Sequence, residues 1–108
     1  MIIAWAPNPA LDVTYTLPAL HVGEVHRVEH VDRRAGGKAA NVAGVLASMG
    51  HRPVTMQALG GPEVGVYLDN LAARGITGWT VPSPVPSRQC VTVVAGGDAT
   101  ALNEAGQP

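Results

Sequence analysis

Phenylalanine is absent from these 108 residues, and only two tryptophans and two tyrosines supply aromatic rings. A core must therefore be assembled from valine, alanine and leucine, within a hydrophobic share of 46% that is ordinary for a globular protein. Cysteine is scarce as well. The single Cys90 excludes an internal disulfide and suits a reducing cytoplasm. Neither sign of charge dominates, and a net charge of −1 gives no electrostatic reason to expect nucleic acid or an anionic membrane as partner. No apolar run approaches the ~18 residues needed to cross a bilayer, and the N-terminus lacks the basic start of a secretion signal. The expectation is a soluble, cytoplasmic chain forming one small domain at most.

What the chain does have is punctuation, with 13 glycines and nine prolines. An apolar run over 2–6, closed by Pro7 and Pro9, predicts a buried strand. Over 12–17, Val13, Tyr15 and Leu17 alternate with Asp12, Thr14 and Thr16, a half-exposed strand that ends at Pro18. Val25, Val28 and Val31 fall at helical spacing, but their β-branching and the glycines ahead favour a strand over 25–31. From 38 to 49, Ala39, Val42, Ala43, Leu46 and Met49 mark one face of a helix that Gly50 stops. Gly44 inside it costs about 1 kcal/mol against alanine, a sign of close packing.

A strand over 54–59 turns at Gly60-Gly61 into a helix opened by Pro62-Glu63. That helix carries Val64, Leu68, Leu71 and Ala72 on one face and closes at Gly75. With a strand over 76–81 this is a βαβ unit of a parallel sheet. Residues 82–86, Pro-Ser-Pro-Val-Pro, form a stiff connector, and strands over 90–95 and 99–103 flank a Gly96-Gly97-Asp98 hairpin turn. Two helices cover too little of a parallel sheet, so the pattern reads as the first part of a larger α/β domain.

The chemistry concentrates at Gly36-Gly37-Lys38-Ala39-Ala40-Asn41, where a valine-rich segment gives way to a helix. Adjacent glycines leave backbone N–H groups unobstructed, and the helix points its positive end at them. Lys38 adds a charge and Asn41 a two-way amide, a combination suited to an oxygen-rich, phosphorylated small molecule. A Walker phosphate loop is excluded, because Asp32 stands where its first glycine belongs and Ala39 where its hydroxyl residue belongs. Asp12 offers a carboxylate that only accepts, a match for adjacent sugar hydroxyls, although a turn aspartate bonding its own backbone reads the same way. Arg88, at a strand start after the connector, carries a guanidinium fork suited to phosphate.

Lys38 and Arg88 also read as plain solvated charges. His26 and His30 lie about 13 Å apart along an extended segment, too far to share a metal ion. Cys90, in an apolar strand, reads as a small core residue rather than a nucleophile.

Asn8-Pro9-Ala10-Leu11-Asp12, the Gly36–Asn41 hexapeptide with Val42-Ala43, and Asn103-Glu104-Ala105-Gly106 together resemble the ribokinase-like (PfkB) carbohydrate kinases. Within them the first and last motifs look most like the hexose-phosphate branch, that of 1-phosphofructokinase and tagatose-6-phosphate kinase. The resemblance runs over the whole of 1–108 but covers only the opening part of the family fold. It implies an α/β ribokinase-like fold: a partial parallel sheet with helices, truncated at its C-terminal side, plus a small β lid over about 12–35 and 88–104.

It further implies that Asp12 and Asn41 hold sugar hydroxyls, that Gly36 and Gly37 let the sugar approach the backbone, and that Lys38 and Arg88 hold a substrate phosphate. ATP and Mg²⁺ would serve the complete family enzyme, and a homodimer would form through the lid sheet. Two departures stand out, Ala39 where the family often has glycine and Gly44 where it often has arginine. The second removes a charge available to order the site or the dimer. The Gly-Ala-Gly-Asp motif that carries the family's catalytic base is absent, so no catalytic residue is assigned and the chain is expected to be inactive alone. A non-catalytic sugar-phosphate binding module and a kinase for an unphosphorylated sugar or nucleoside remain as alternatives.

Overall fold

Which face of each strand meets a helix decides this architecture, and the computed structural model, describing residues 2–106, shows two sheets that share α2 between them. In chain order the elements are β1 (Ile3–Ala6), β2 (Ala10–Leu17), β3 (His30–Gly36), α1 (Lys38–Ser48), β4 (Val54–Leu59), α2 (Val64–Ala73), β5 (Thr77–Pro82), β6 (Arg88–Ala95) and β7 (Asp98–Asn103). β1, β4 and β5 form a parallel sheet in the order β1-β4-β5. The other four strands form a mixed sheet in the order β3-β2-β6-β7, in which β2 runs parallel to β6 and antiparallel to β3. The fold is the α/β one that the pattern implies, and β4-α2-β5 is its βαβ unit.

Side chains two apart on a strand share a face, so Ala6, Thr55, Gln57 and Leu59 turn to the helices and are buried. Ile3, Trp5, Trp79 and Val81 turn the other way and are exposed, Trp5 by 54%. The expectation of a buried first strand is thus corrected. β1 is an edge strand and only Ala6 of it is buried. A continuous apolar run says nothing about which face is covered.

α1 packs against β1 with its alanines, Ala39, Ala40 and Ala43, while Val42 and Met49 are exposed, the reverse of their expected place on its buried face. Small side chains let a helix lie close to a sheet, so an alanine stripe outcompetes the bulkier one. In α2 the buried residues are Tyr67 and Leu71, and Ala72 is exposed rather than inward. The expected strand over 25–31 lies instead at His30–Gly36, and only its last two residues fall in a strand. Val25 is 95% exposed, so no partner surface recruits that stretch.

β2 and β6 place Leu11, Val13 and Val91 on the face that packs toward Tyr67, Leu71 and Ile76. The opposite face of the same sheet carries the polar members of the alternation, and there the candidate site lies.

Candidate functional site

Strand register brings the polar residues together. Asp12 stands opposite Arg34 of β3 and Cys90 of β6, and Ala10 opposite Gly36 and Arg88. Ala10, Asp12, Arg34, Arg88 and Cys90, with Thr14, Asp32, Thr92 and Asn103, line a cleft of about 470 Å³ that Gly37 and Asn41 close at the α1 end. Asp12, Gly37, Asn41 and Arg88 therefore meet in one cleft, and Gly36 forms its floor beneath Asp12.

That floor is specific. A Cβ built on Gly36 would overlap the Asp12 carboxylate, so only glycine lets the carboxylate lie flat on β3. Gly37 follows with φ of +93°, a conformation open to glycine, and turns the chain from strand into helix within one residue. Among the described residues no side chain caps α1, and no acidic residue occupies its first turn. Its first N–H groups are left to an incoming oxygen.

Lys38 is placed differently. It is exposed and borders a neighbouring cavity of about 390 Å³ with Trp5, Asn8, Ala39 and Arg88, outside the set of residues around Asp12. Arg88 borders both cavities, and its buried Nε has no hydrogen-bond partner among the described residues.

Cys90 is half-buried in the cleft beside Asp12, which corrects its reading as a core residue. Arg34 and Asp32 are charged cleft residues that the sequence reading did not assign to the site, and Asn103 entered it only as part of a family motif. The signal for Arg34 was its two-residue step from Gly36, which puts both on one face once the strand is placed at His30–Gly36.

Burial raises the pKa of Asp12 above the ordinary 3.8, and Arg88 and Arg34 pull it back. Because the folded protein binds this proton more tightly than the unfolded chain does, stability falls as pH rises from 3.8 through the raised value, and the loss persists above it. Asp12→Asn should therefore melt higher than wild type at pH 7 and show a flatter stability profile through that acidic window. Melting curves between pH 3 and pH 7 test this, and an Asp12→Asn protein less stable at pH 7 would contradict it.

The glycine floor is held from behind by α2. The buried hydroxyl of Tyr67 donates to the Gly36 carbonyl at 3.1 Å. Asn70 Oδ1 accepts from the Ala35 amide at 2.9 Å, and Arg74 Nη1 donates to the Ala35 carbonyl at 3.2 Å. Burial, reinforced by the Asp12 charge, pushes the Tyr67 pKa up to about 12, so the phenol keeps the proton it donates. Asn8, whose carbonyl lies near Gly37, sets its side-chain amide against Gly106.

Residues 8–106 match the pfkB family of carbohydrate kinases. The chain belongs to that family. Among solved structures it is similar to the possible 1-phosphofructokinase of Thermotoga maritima, with a TM-score of 0.85 and 24% identity over 99% of this chain and 36% of that one. It is similar also to Escherichia coli phosphofructokinase-2 in complex with fructose-6-phosphate, with a TM-score of 0.90 and 22% identity over 97% of this chain and 35% of that one. The chain thus spans about 35% of the length of the phosphofructokinase it matches, and at these identities the likeness establishes the ribokinase-like fold. The family membership assigns a carbohydrate kinase ancestry. No helix among the described residues is long and apolar enough to cross a membrane.

Proposed function

We propose that the chain is the sugar-binding, N-terminal portion of an ATP-dependent hexose-phosphate kinase of the 1-phosphofructokinase kind. One observation carries the phosphate part of the reading. Arg88 stands on the same sheet face as Asp12 with a buried Nε that has no partner among the described residues, a guanidinium donor placed beside a carboxylate acceptor. The carboxylate suits hydroxyls and the guanidinium suits phosphate, so the pair reads the two ends of a sugar phosphate. Asn41 and the backbone at Gly36 and Gly37 add contacts to the sugar, and Arg34 supplies a second cation at the cleft wall. Lys38 faces the neighbouring cavity, where it would meet the phosphate from the Arg88 side.

In this reading 12–35 and 88–104 act as the lid of residues 1–108. ATP with Mg²⁺ on its phosphates supplies the transferred γ-phosphoryl, and the cleft positions the sugar for it. The residues identified in the cleft bind and orient, and none is assigned as the base, so the 108-residue chain alone should not turn over. E. coli phosphofructokinase-2 is known in a tetrameric inhibited form. A homodimer through the lid sheet is the corresponding proposal here, in a cytoplasmic setting.

Substrate class is tested by direct binding of fructose 1-phosphate, fructose 6-phosphate and tagatose 6-phosphate against the unphosphorylated sugars. Arg88→Ala should weaken binding of the phosphorylated sugar about 10- to 100-fold, from the roughly 1.5–3 kcal/mol of a charge-assisted contact, and leave the unphosphorylated one nearly unchanged. Asp12→Ala should weaken both. Equal losses on both sugars from Arg88→Ala would point to a kinase of unphosphorylated sugars instead.

A further inference from the structure

β3 is an edge strand, and an edge strand normally leaves its outer backbone groups to water or to another strand. At the last two residues of β3 this is not so. Tyr67, Asn70 and Arg74 hydrogen-bond three backbone groups of two consecutive residues, the Gly36 carbonyl and both the N–H and the carbonyl of Ala35. Spaced three and then four residues apart, they form one stripe along α2 and its C-cap, facing the strand. Those two residues lie directly before the Gly37 turn, and the second of them, Gly36, lies directly beneath the Asp12 carboxylate. A third element joins at the same point. The Arg74 guanidinium occupies the space beside Gly44 of α1, where a Cβ would overlap its Nη2. One side chain thus touches β3 and α1 on either side of the Gly37 hinge.

We propose that Tyr67, Asn70 and Arg74 are positioning residues for sugar binding, a three-point clamp that sets the height of the Gly36 floor and the angle at which α1 presents Asn41. Gly44 is the notch that admits the clamp's outer arm. The inference rests on the sugar-binding reading of the cleft. Packing alone does not account for the stripe: Tyr67 is also a core residue, but all three side chains make a directed hydrogen bond to the β3 backbone. Loosening it lets the floor shift, and the Asp12 carboxylate that rests on Gly36 shifts with it.

The test compares affinity with global stability in the 108-residue chain, using fructose 6-phosphate as the probe. Tyr67→Phe, which removes one oxygen and no volume, and Arg74→Ala should each weaken binding roughly 3- to 10-fold, the worth of one net hydrogen bond. Leu71→Val, in the same helix but at a side chain that makes no hydrogen bond to the floor, should lower the melting temperature and leave the affinity of the folded protein unchanged. Gly44→Ala should weaken binding in wild type and have no effect on it in an Arg74→Ala background, since the guanidinium it displaces is then gone. If Arg74→Ala fails to fold, Tyr67→Phe carries the test together with hydrogen exchange at Ala35, which should quicken in Asn70→Ala. Wild-type affinity in Tyr67→Phe and Arg74→Ala, with binding lost in Asp12→Ala, would overturn the clamp and leave the sugar reading standing. No binding of the sugar phosphate by wild type would overturn both.

Discussion

Gly36→Ala is expected to abolish sugar binding while leaving the chain folded. The added Cβ would fall on the Asp12 carboxylate, whose carbon and both oxygens lie within its reach. A short, single-jointed side chain yields by rotating away, which costs little stability but removes the acceptor from the cleft. A carboxylate accepting from two hydroxyls contributes roughly 2–4 kcal/mol, so affinity should drop on the order of 100-fold or more. Asp12→Ala should do the same damage, and the double variant should be no worse than either single one. Calorimetric titration of all three variants measures this non-additivity. Additive losses would mean that the two positions act separately and that Gly36 serves some other contact.

Gly60→Ala is expected to strike stability and phosphate recognition together. Gly60 is buried at the end of β4, and a Cβ there would overlap the backbone carbonyls of Val85 and Ser83 in the connector. Backbone cannot rotate out of the way as a side chain can. The connector is stitched to this point by Ser83 N–H to the Leu59 carbonyl at 2.8 Å, by Ser87 N–H to the Gly60 carbonyl at 3.0 Å, and by Gly60 N–H to Ser87 Oγ at 3.1 Å. Displacing it should cost about 3 kcal/mol, at the upper end of overpacking, and lower Tm by roughly 12–24 °C in a domain of this size. Arg88 follows Ser87 directly, so the surviving folded protein should bind phosphorylated sugar more weakly than wild type while its affinity for the unphosphorylated sugar changes little. A thermal melt near wild type would show that the connector has slack, and the seat assigned to Arg88 would then need another explanation.

Both effects arise from glycines whose neighbours are far away in sequence, and this marks where sequence reasoning reached its limit. The helix over Lys38–Ser48, the β4-α2-β5 unit and the hairpin at Gly96-Gly97 were legible because period, β-branching and turn residues are local properties. The family was legible too, from short motifs at Asn8–Asp12, Gly36–Asn41 and Asn103–Gly106 whose residue order survives without any knowledge of contacts. Asp12, Asn41 and Arg88 could be named as candidates from residue type and place in an element.

The tertiary structure decided the rest. It moved the third strand from 25–31 to His30–Gly36, because pairing with β2 and anchoring by α2, rather than valine spacing, select which residues extend. That shift brought Arg34 into the cleft opposite Asp12, a juxtaposition only register can create. It put Lys38, the first residue of α1, beside Trp5 and Asn8, and Asn41 beside Arg34, so two residues of one helix turn border different cavities according to which strands lie next to each. It exposed Ile3 and Trp5 and buried Ala39 and Ala40, since burial depends on which element covers a face, information that no window of neighbouring residues contains. Local periodicity chose the elements, and contacts between distant segments chose the faces, the register and the side chains that share the cleft.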